Sequence, residues 1–179
     1  MKRPNYVCQY WRTLLDSYPN APKPLIELIE FWSVRSCGLA CASSAIEFLT
    51  GERLSIQSLF NETVSSGGYS PAGWRHDQLA QTIEKHGIKA IVSKMTIESI
   101  KNHLLNRKLV IASVTHKFPI DGRKGGHLIL LYKIRKISQV DYFCFMDPSG
   151  WGEFNHIVPV EIFSHSFSFK GIVLSTKDI

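Results

Sequence analysis

A chain of 179 residues is long enough for one core of ordinary size and too short for several. Its 44% hydrophobic and 20% charged residues exclude a chain that is disordered over most of its length. The net charge is +6, yet Lys and Arg are scattered: Lys2 with Arg3, Arg123 with Lys124, and Lys133, Arg135 and Lys136. None of these small groups sits in a nucleic-acid-binding motif, so the basic excess reads as a solvated face and no nucleic-acid partner is expected.

Met1-Lys2-Arg3 is not followed by an apolar run of signal-peptide length, and no later stretch is long enough to span a bilayer, so a cytoplasmic chain with no membrane partner is expected. Residues 1–24 carry Pro4, Pro19, Pro22 and Pro24 and predict an irregular lead-in, with a short helix over 10–18 that packs Trp11, Leu14 and Leu15. Residues 25–179 are expected to form the single folded domain. Residues 25–31 read as a short strand. After Ser36 the period turns helical, with Cys37, Cys41, Ala45 and Phe48 on one stripe, and the run stops at Thr50-Gly51.

Another short helix is predicted over 54–66, then a glycine-rich loop, a helix over 76–86 stopped by Gly87, a strand over 89–94 and a helix over 97–106. From there the pattern is β: apolar, branched or aromatic runs at 109–115, 127–134, 142–146 and 171–174, separated by turns. Helices first and an antiparallel sheet afterwards make an α+β chain.

Four cysteines, Cys8, Cys37, Cys41 and Cys144, are too few and too dispersed for a disulfide framework, so each is judged by its surroundings. Cys41 lies one turn deeper in its helix and Cys144 lies mid-strand between two phenylalanines; both read as buried filler. Cys37 differs. It occupies the first turn of a helix, where the macrodipole and the unpaired amides favour a thiolate and an oxyanion, and Gly38 beside it permits close approach by a substrate.

Among seven histidines, His127 alone follows two glycines, Gly125 and Gly126, and opens a strand. Asp147 ends the next strand, before Pro148 and Gly150. If the two strands form a hairpin, the start of one lies beside the end of the other, and Asp147 falls where an acceptor must sit to fix the imidazole tautomer. Nucleophile on an early helix, base on a later strand and orienter on the following one is the papain-like order. No Cys and His fall at the paired spacings of structural zinc, so neither a metal nor another cofactor is expected.

Four segments carry a family resemblance: Arg35-Ser36-Cys37-Gly38-Leu39-Ala40-Cys41-Ala42, Gly73-Trp74-Arg75-His76-Asp77-Gln78-Leu79, Gly125-Gly126-His127-Leu128-Ile129 and Met146-Asp147-Pro148. Over residues 25–175 the chain resembles the bacteriocin-processing cysteine peptidases, the double-glycine leader peptidases of the papain-like superfamily. The resemblance implies a papain-like peptidase fold and assigns the nucleophile to Cys37, the general base to His127 and its orienter to Asp147. It also implies a stand-alone hydrolase that cleaves a peptide or other amide bond through a Cys37 acyl-enzyme.

Family members carry a Gln about six residues before the Cys, and it donates to the oxyanion, a contact typically worth about 10²–10³ in rate. The corresponding stretch here is Glu30-Phe31-Trp32, which leaves Glu30 and Gly38 as the positions that would form the oxyanion site. That departure keeps two other readings open. One is an acyltransferase or thioesterase that uses the same triad on a small acyl substrate or a carrier protein. The other is a catalytically silent domain that binds a precursor peptide. Phe31, Trp74, Gly126 and Trp151 are the residues expected to line the substrate cleft.

Overall fold

The computed structural model describes residues 2–11, 16–120, 122 and 124–177. Among them six helices surround a six-stranded antiparallel sheet, so the fold is α+β. The helices are α1 (Lys23–Ser33), α2 (Cys37–Thr50), α3 (Ile56–Ser65), α4 (His76–Lys85), α5 (Ile97–Leu105) and α6 (Val160–Ser166). A two-residue ribbon pairs β1 (Tyr69–Ser70) with β2 (Gly73–Trp74) inside the region expected to be loop. The main sheet holds β3 (Ile88–Lys94), β4 (Leu109–Thr115), β5 (Gly126–Ile137), β6 (Val140–Met146), β7 (Ile157–Pro159) and β8 (Phe167–Thr176), in the order β3-β8-β4-β5-β6-β7.

Period-2 alternation along the central strands feeds two separate cores. Leu109 and Ile111 of β4 face one side, where Leu39, Ile46, Leu79 and Ile83 of α2 and α4 cover them. Val110, Ala112 and Val114 face the other, where Ile100 and Leu104 of α5 and Phe163 of α6 close the second core. Every residue of β4 is buried, as a central strand covered on both faces must be. Residues Cys37 to Ile46 of α2 are also buried all round, so this helix is interior and its N-terminus is held rigidly.

The strand expected over 25–31 is instead the middle of helix α1. Pro22 and Pro24 stand at its start, where a missing N–H costs nothing, and Ile29 and Ser33 are buried one turn apart. Leu, Ile and Glu at these positions serve a one-sided helix, and the short apolar run misleads because it is compatible with either period. Of the helix expected over 10–18, residues 12–15, including Leu14 and Leu15, lie outside those described. β7 and α6 fall between the expected strands, in a stretch with no expected element. No helix of the described residues is long and apolar enough to cross a membrane.

Candidate active site

Cys37 is the first residue of α2, and Ser36 holds the N-cap position without capping it. The Ser36 hydroxyl turns back and donates to the Trp32 carbonyl at 2.8 Å. The first-turn amides of α2 are thus left without a side-chain partner, at the end of the helix where negative charge is favoured. Gly38 also meets a packing need. A Cβ there would sit 3.0 Å from Leu128 Cδ1 and 3.1 Å from both Leu79 Cδ2 and Trp74 Cδ1, so the missing side chain makes room for the protein's own packing.

Gly125 and Gly126 have φ of +83° and +96°, a conformation that side-chain-bearing residues adopt only with strain, and they swing the chain into β5 with His127 opposite Val114 of β4. The hairpin of β5 with β6 pairs Leu130 with Met146. Just beyond that register His127 Nε2 lies 2.8 Å from Asp147 Oδ1. The same oxygen accepts the Ser149 N–H at 2.8 Å, and Asp147 is only 1% exposed. A Cβ at Gly152 would collide with Asp147, so glycine there lets the turn at residues 151–153 close over the carboxylate.

With Nε2 directed at Asp147, Nδ1 is the nitrogen left for Cys37. Burial would by itself push the His127 imidazolium toward deprotonation. Hydrogen bonds to Asp147 and to Cys37, with the negative charges on both, overcome that and raise its pKa to about 10. A protonated His127 at neutral pH is the counter-ion a Cys37 thiolate needs. Cys41, by contrast, donates its thiol to the Leu128 carbonyl at 3.3 Å, and burial first of all pushes its pKa well up. Burial also pushes Cys144 up. Among the described residues neither is hydrogen-bonded to an imidazole, so Cys37 is set apart from the other buried thiols by its partner rather than by its exposure.

Cys37 and His127 lie in a cleft of about 550 Å³. Val34 and Arg35, Tyr69 and Trp74 of the small ribbon, and Gly126 are among the residues that line it. Trp74 thus lines the cleft as expected, its indole N–H donated to the Arg35 carbonyl. Phe31 and Trp151 are not in the lining. Phe31 is exposed on α1 beneath the Arg35 guanidinium, and Trp151 stacks on Phe145 with ring centroids 5.7 Å apart. Glu30, expected at the oxyanion site, is exposed on α1 and is also absent from the lining.

Sequence reasoning missed Gln9. A cavity of about 240 Å³ behind the cleft is lined by Gln9, His116 and Asp147, and it shares Val34, Gly126 and His127 with the cleft itself. Gln9 is 5% exposed. Its side-chain NH₂ donates to the Val34 carbonyl at 3.3 Å, and its backbone N–H donates to the Pro148 carbonyl at 2.9 Å. Its side-chain oxygen is buried without a partner. The signal was present: Gln is the residue type the resemblance asked for. Spacing along the chain points to Glu30 because helix α1 stands between Gln9 and Cys37 in sequence. In space Ser33 of that helix reconnects the two segments, accepting the Trp11 N–H at 2.7 Å.

Comparisons with known proteins give structural neighbours only. No protein-family model matches the sequence, and no curated protein matches it. Among solved structures, the chain is similar to a double-glycine-motif protease from an AMS/PCAT transporter, determined in complex with the leader peptide. The TM-score is 0.58 at 14% identity, over 79% of this chain and 84% of that one. It is also similar to the peptidase domain of Streptococcus ComA, a bifunctional ABC transporter involved in a quorum-sensing pathway. There the TM-score is 0.57 at 17% identity, over 80% of this chain and 93% of that one. At such identities the shared property is the fold, which is that of the double-glycine peptidase domains.

Proposed function

We propose that the protein is a cysteine peptidase-like hydrolase that cleaves a peptide through a Cys37 acyl-enzyme. The observation that carries this reading is the position of His127, which shares a cleft with Cys37 and lies 2.8 Å from the buried Asp147. Cys37 Sγ attacks the scissile carbonyl carbon, and the carbonyl π electrons move onto its oxygen. The uncapped amides at the start of α2 and the Gln9 side-chain NH₂ are the donors for that oxyanion. One hydrogen of the Gln9 amide goes to Val34, which fixes the group and leaves the second hydrogen to donate.

The His127 imidazolium then gives its Nδ1 proton to the leaving amine as the C–N bond breaks, and the thioester remains on Cys37. Neutral His127 next takes a proton from water. The resulting hydroxide attacks the thioester, and the acid and the Cys37–His127 pair are regenerated. Asp147 accepts from Nε2–H throughout and keeps the ring in the orientation that presents Nδ1. Gln9 in the role of that donor supports the peptidase reading over the silent-domain and acyl-transfer readings. The substrate class follows by analogy of fold, from a neighbour crystallised with its leader peptide.

The test is direct. The full chain is incubated with synthetic peptides that contain a Gly-Gly step, and products are read by mass spectrometry, beside iodoacetamide labelling of the four cysteines. Cleavage that is lost in Cys37→Ala, with Cys37 labelled faster than Cys8, Cys41 and Cys144 and that advantage lost in His127→Ala, is the expected outcome. Equal labelling of all four thiols would defeat the proposal.

A further inference from the structure

Strand β8 departs from regular pairing at one place. Ala112 of β4 pairs with Gly171 and Val114 pairs with Phe167, so Ser113 alone stands opposite three residues, Ser168, Phe169 and Lys170. Phe169 takes a left-handed φ of +59° to make this bulge. Two bonds hold it in place. The Ser168 hydroxyl donates to the Ser113 carbonyl at 2.9 Å, and the Phe169 carbonyl accepts the Met95 N–H at 3.0 Å. A bulge beside a site re-aims side chains, and here it brings Ser168 and Lys170 into the lining of the Cys37 cleft.

Arg35 belongs to the same lining, held by a hydrogen bond from its guanidinium to the Phe31 carbonyl at 2.8 Å and by the Phe31 ring beneath it at 3.8 Å. Lys124 lines the cleft as well, and among the described lining residues there is no Asp or Glu. The nearby carboxylate of Asp77 is engaged by Arg75 at 2.7 Å and stays outside the lining. Lys170 acts on what lies near it: burial first, and then the Lys170 charge, push the His76 imidazole at the rim toward its neutral form.

We propose that this cleft selects an acidic peptide, with Lys170 on the β8 bulge and Arg35, which also lines the cleft, receiving a substrate carboxylate close to the scissile bond. The inference rests on the peptidase reading for the word substrate, but the field it describes acts on any group that reaches Cys37. Low-dielectric walls lined by one sign of charge raise the local concentration of the opposite sign. Neither cation needs to touch the reacting atoms, so both are specificity-determining rather than catalytic.

Two alkylating reagents of nearly equal size read that field, anionic iodoacetate and neutral iodoacetamide. The ratio of their rates at Cys37 is measured for the full chain and for Lys170→Gln and Lys170→Glu, at low and high salt. Lys170 is exposed, so both variants are expected to fold, which circular dichroism checks. The iodoacetate preference should fall about two- to fivefold in Lys170→Gln, further in Lys170→Glu, and shrink with salt in the wild-type chain. A ratio unchanged in both variants overturns the proposal. The ratio compares two reagents on one thiol, so a Cys37 sluggish toward both speaks against the nucleophile and leaves this reading of the cleft intact.

The peptide class is read separately, by fluorescence anisotropy on Cys37→Ala with rhodamine-labelled Gly-Gly peptides that differ only in Glu against Gln beside the glycines. Tighter binding of the Glu peptide, lost in Cys37→Ala/Lys170→Gln, supports the assignment. Equal binding of the two, or binding of neither, overturns it.

Discussion

The two halves of the candidate site are built in different ways. His127 and Asp147 sit on adjacent strands of one hairpin, and the β5–β6 register that sets Leu130 against Met146 brings them together. The wall that faces them is assembled from segments far apart in the chain. Gln9 comes from the N-terminal strap, Val34 and Arg35 from the end of α1, and Trp74 from a two-residue ribbon. The hairpin half is fixed by local pairing that any β sequence announces. The other half depends on tertiary packing of a helix that stands between Gln9 and Cys37. The His127–Asp147 pair is therefore placed by backbone register, and the proposed oxyanion donor by side-chain packing.

The largest effect that tests this division is at Gln9. Gln9→Ala should lower kcat on a cleaved peptide by about 10²–10³, the usual cost of one oxyanion donor, while Cys37 alkylation by iodoacetamide stays near the wild-type rate. Alkylation forms no tetrahedral oxyanion, so the two readouts separate a missing donor from a damaged nucleophile. Equal losses in both would show that Gln9 supports the fold of the strap rather than the reaction.

On the hairpin side, Asp147→Asn keeps the shape and removes the charge. His127 has its pKa raised from 6.5 to about 10 in the folded protein. A raised pKa stabilises the fold fully below the unfolded value, and the contribution is lost as pH rises through the folded one. The cost of Asp147→Asn in urea unfolding should then be about 1.5–3 kcal/mol near pH 6 and should shrink as the pH approaches 10. A cost that grows with pH would reverse the assigned protonation.

Gly38→Ala is a smaller perturbation, placed between the halves. Its methyl would crowd Leu128, Leu79 and Trp74 at 3.0–3.1 Å. Overpacking of this kind costs about 1–3 kcal/mol, and the better helix propensity of Ala returns about 1 kcal/mol. Net destabilisation of about 1 kcal/mol in a denaturant titration is the expectation. A more stable variant would restore the idea that the space beside Gly38 is reserved for substrate.

The same division explains what could be read from the sequence. The α2 helix, the β4, β5 and β6 strands and the Cys37, His127 and Asp147 positions were legible because each carries its own local signal: a period, a pair of glycines, a turn after Asp147. Helix α1 was misread as a strand because its apolar run is short and exposes Leu28 and Phe31 on its outer face, which blurs the helical stripe. That error hid Gln9 as well, because spacing along the chain was used where only packing decides. The β8 bulge left no trace either, since the left-handed position falls on Phe169, a residue type that does not advertise it.

The smallest effect is the one that discriminates most sharply between the two accounts of the oxyanion site. Sequence spacing put Glu30 there. The structure puts Glu30 on the solvent side of α1, outside the lining of the cleft. If spacing were the better guide, Glu30→Gln would supply the missing donor and raise kcat by an amount comparable to the Gln9→Ala loss. If packing is the guide, an exposed substitution away from caps and ion pairs should change stability by no more than about 0.5 kcal/mol and leave kcat unaltered. The second outcome is expected, and it should hold in the Gln9→Ala background too. A Glu30→Gln that rescues Gln9→Ala would move the donor back to α1, because only a group able to reach the same oxygen can replace the one removed.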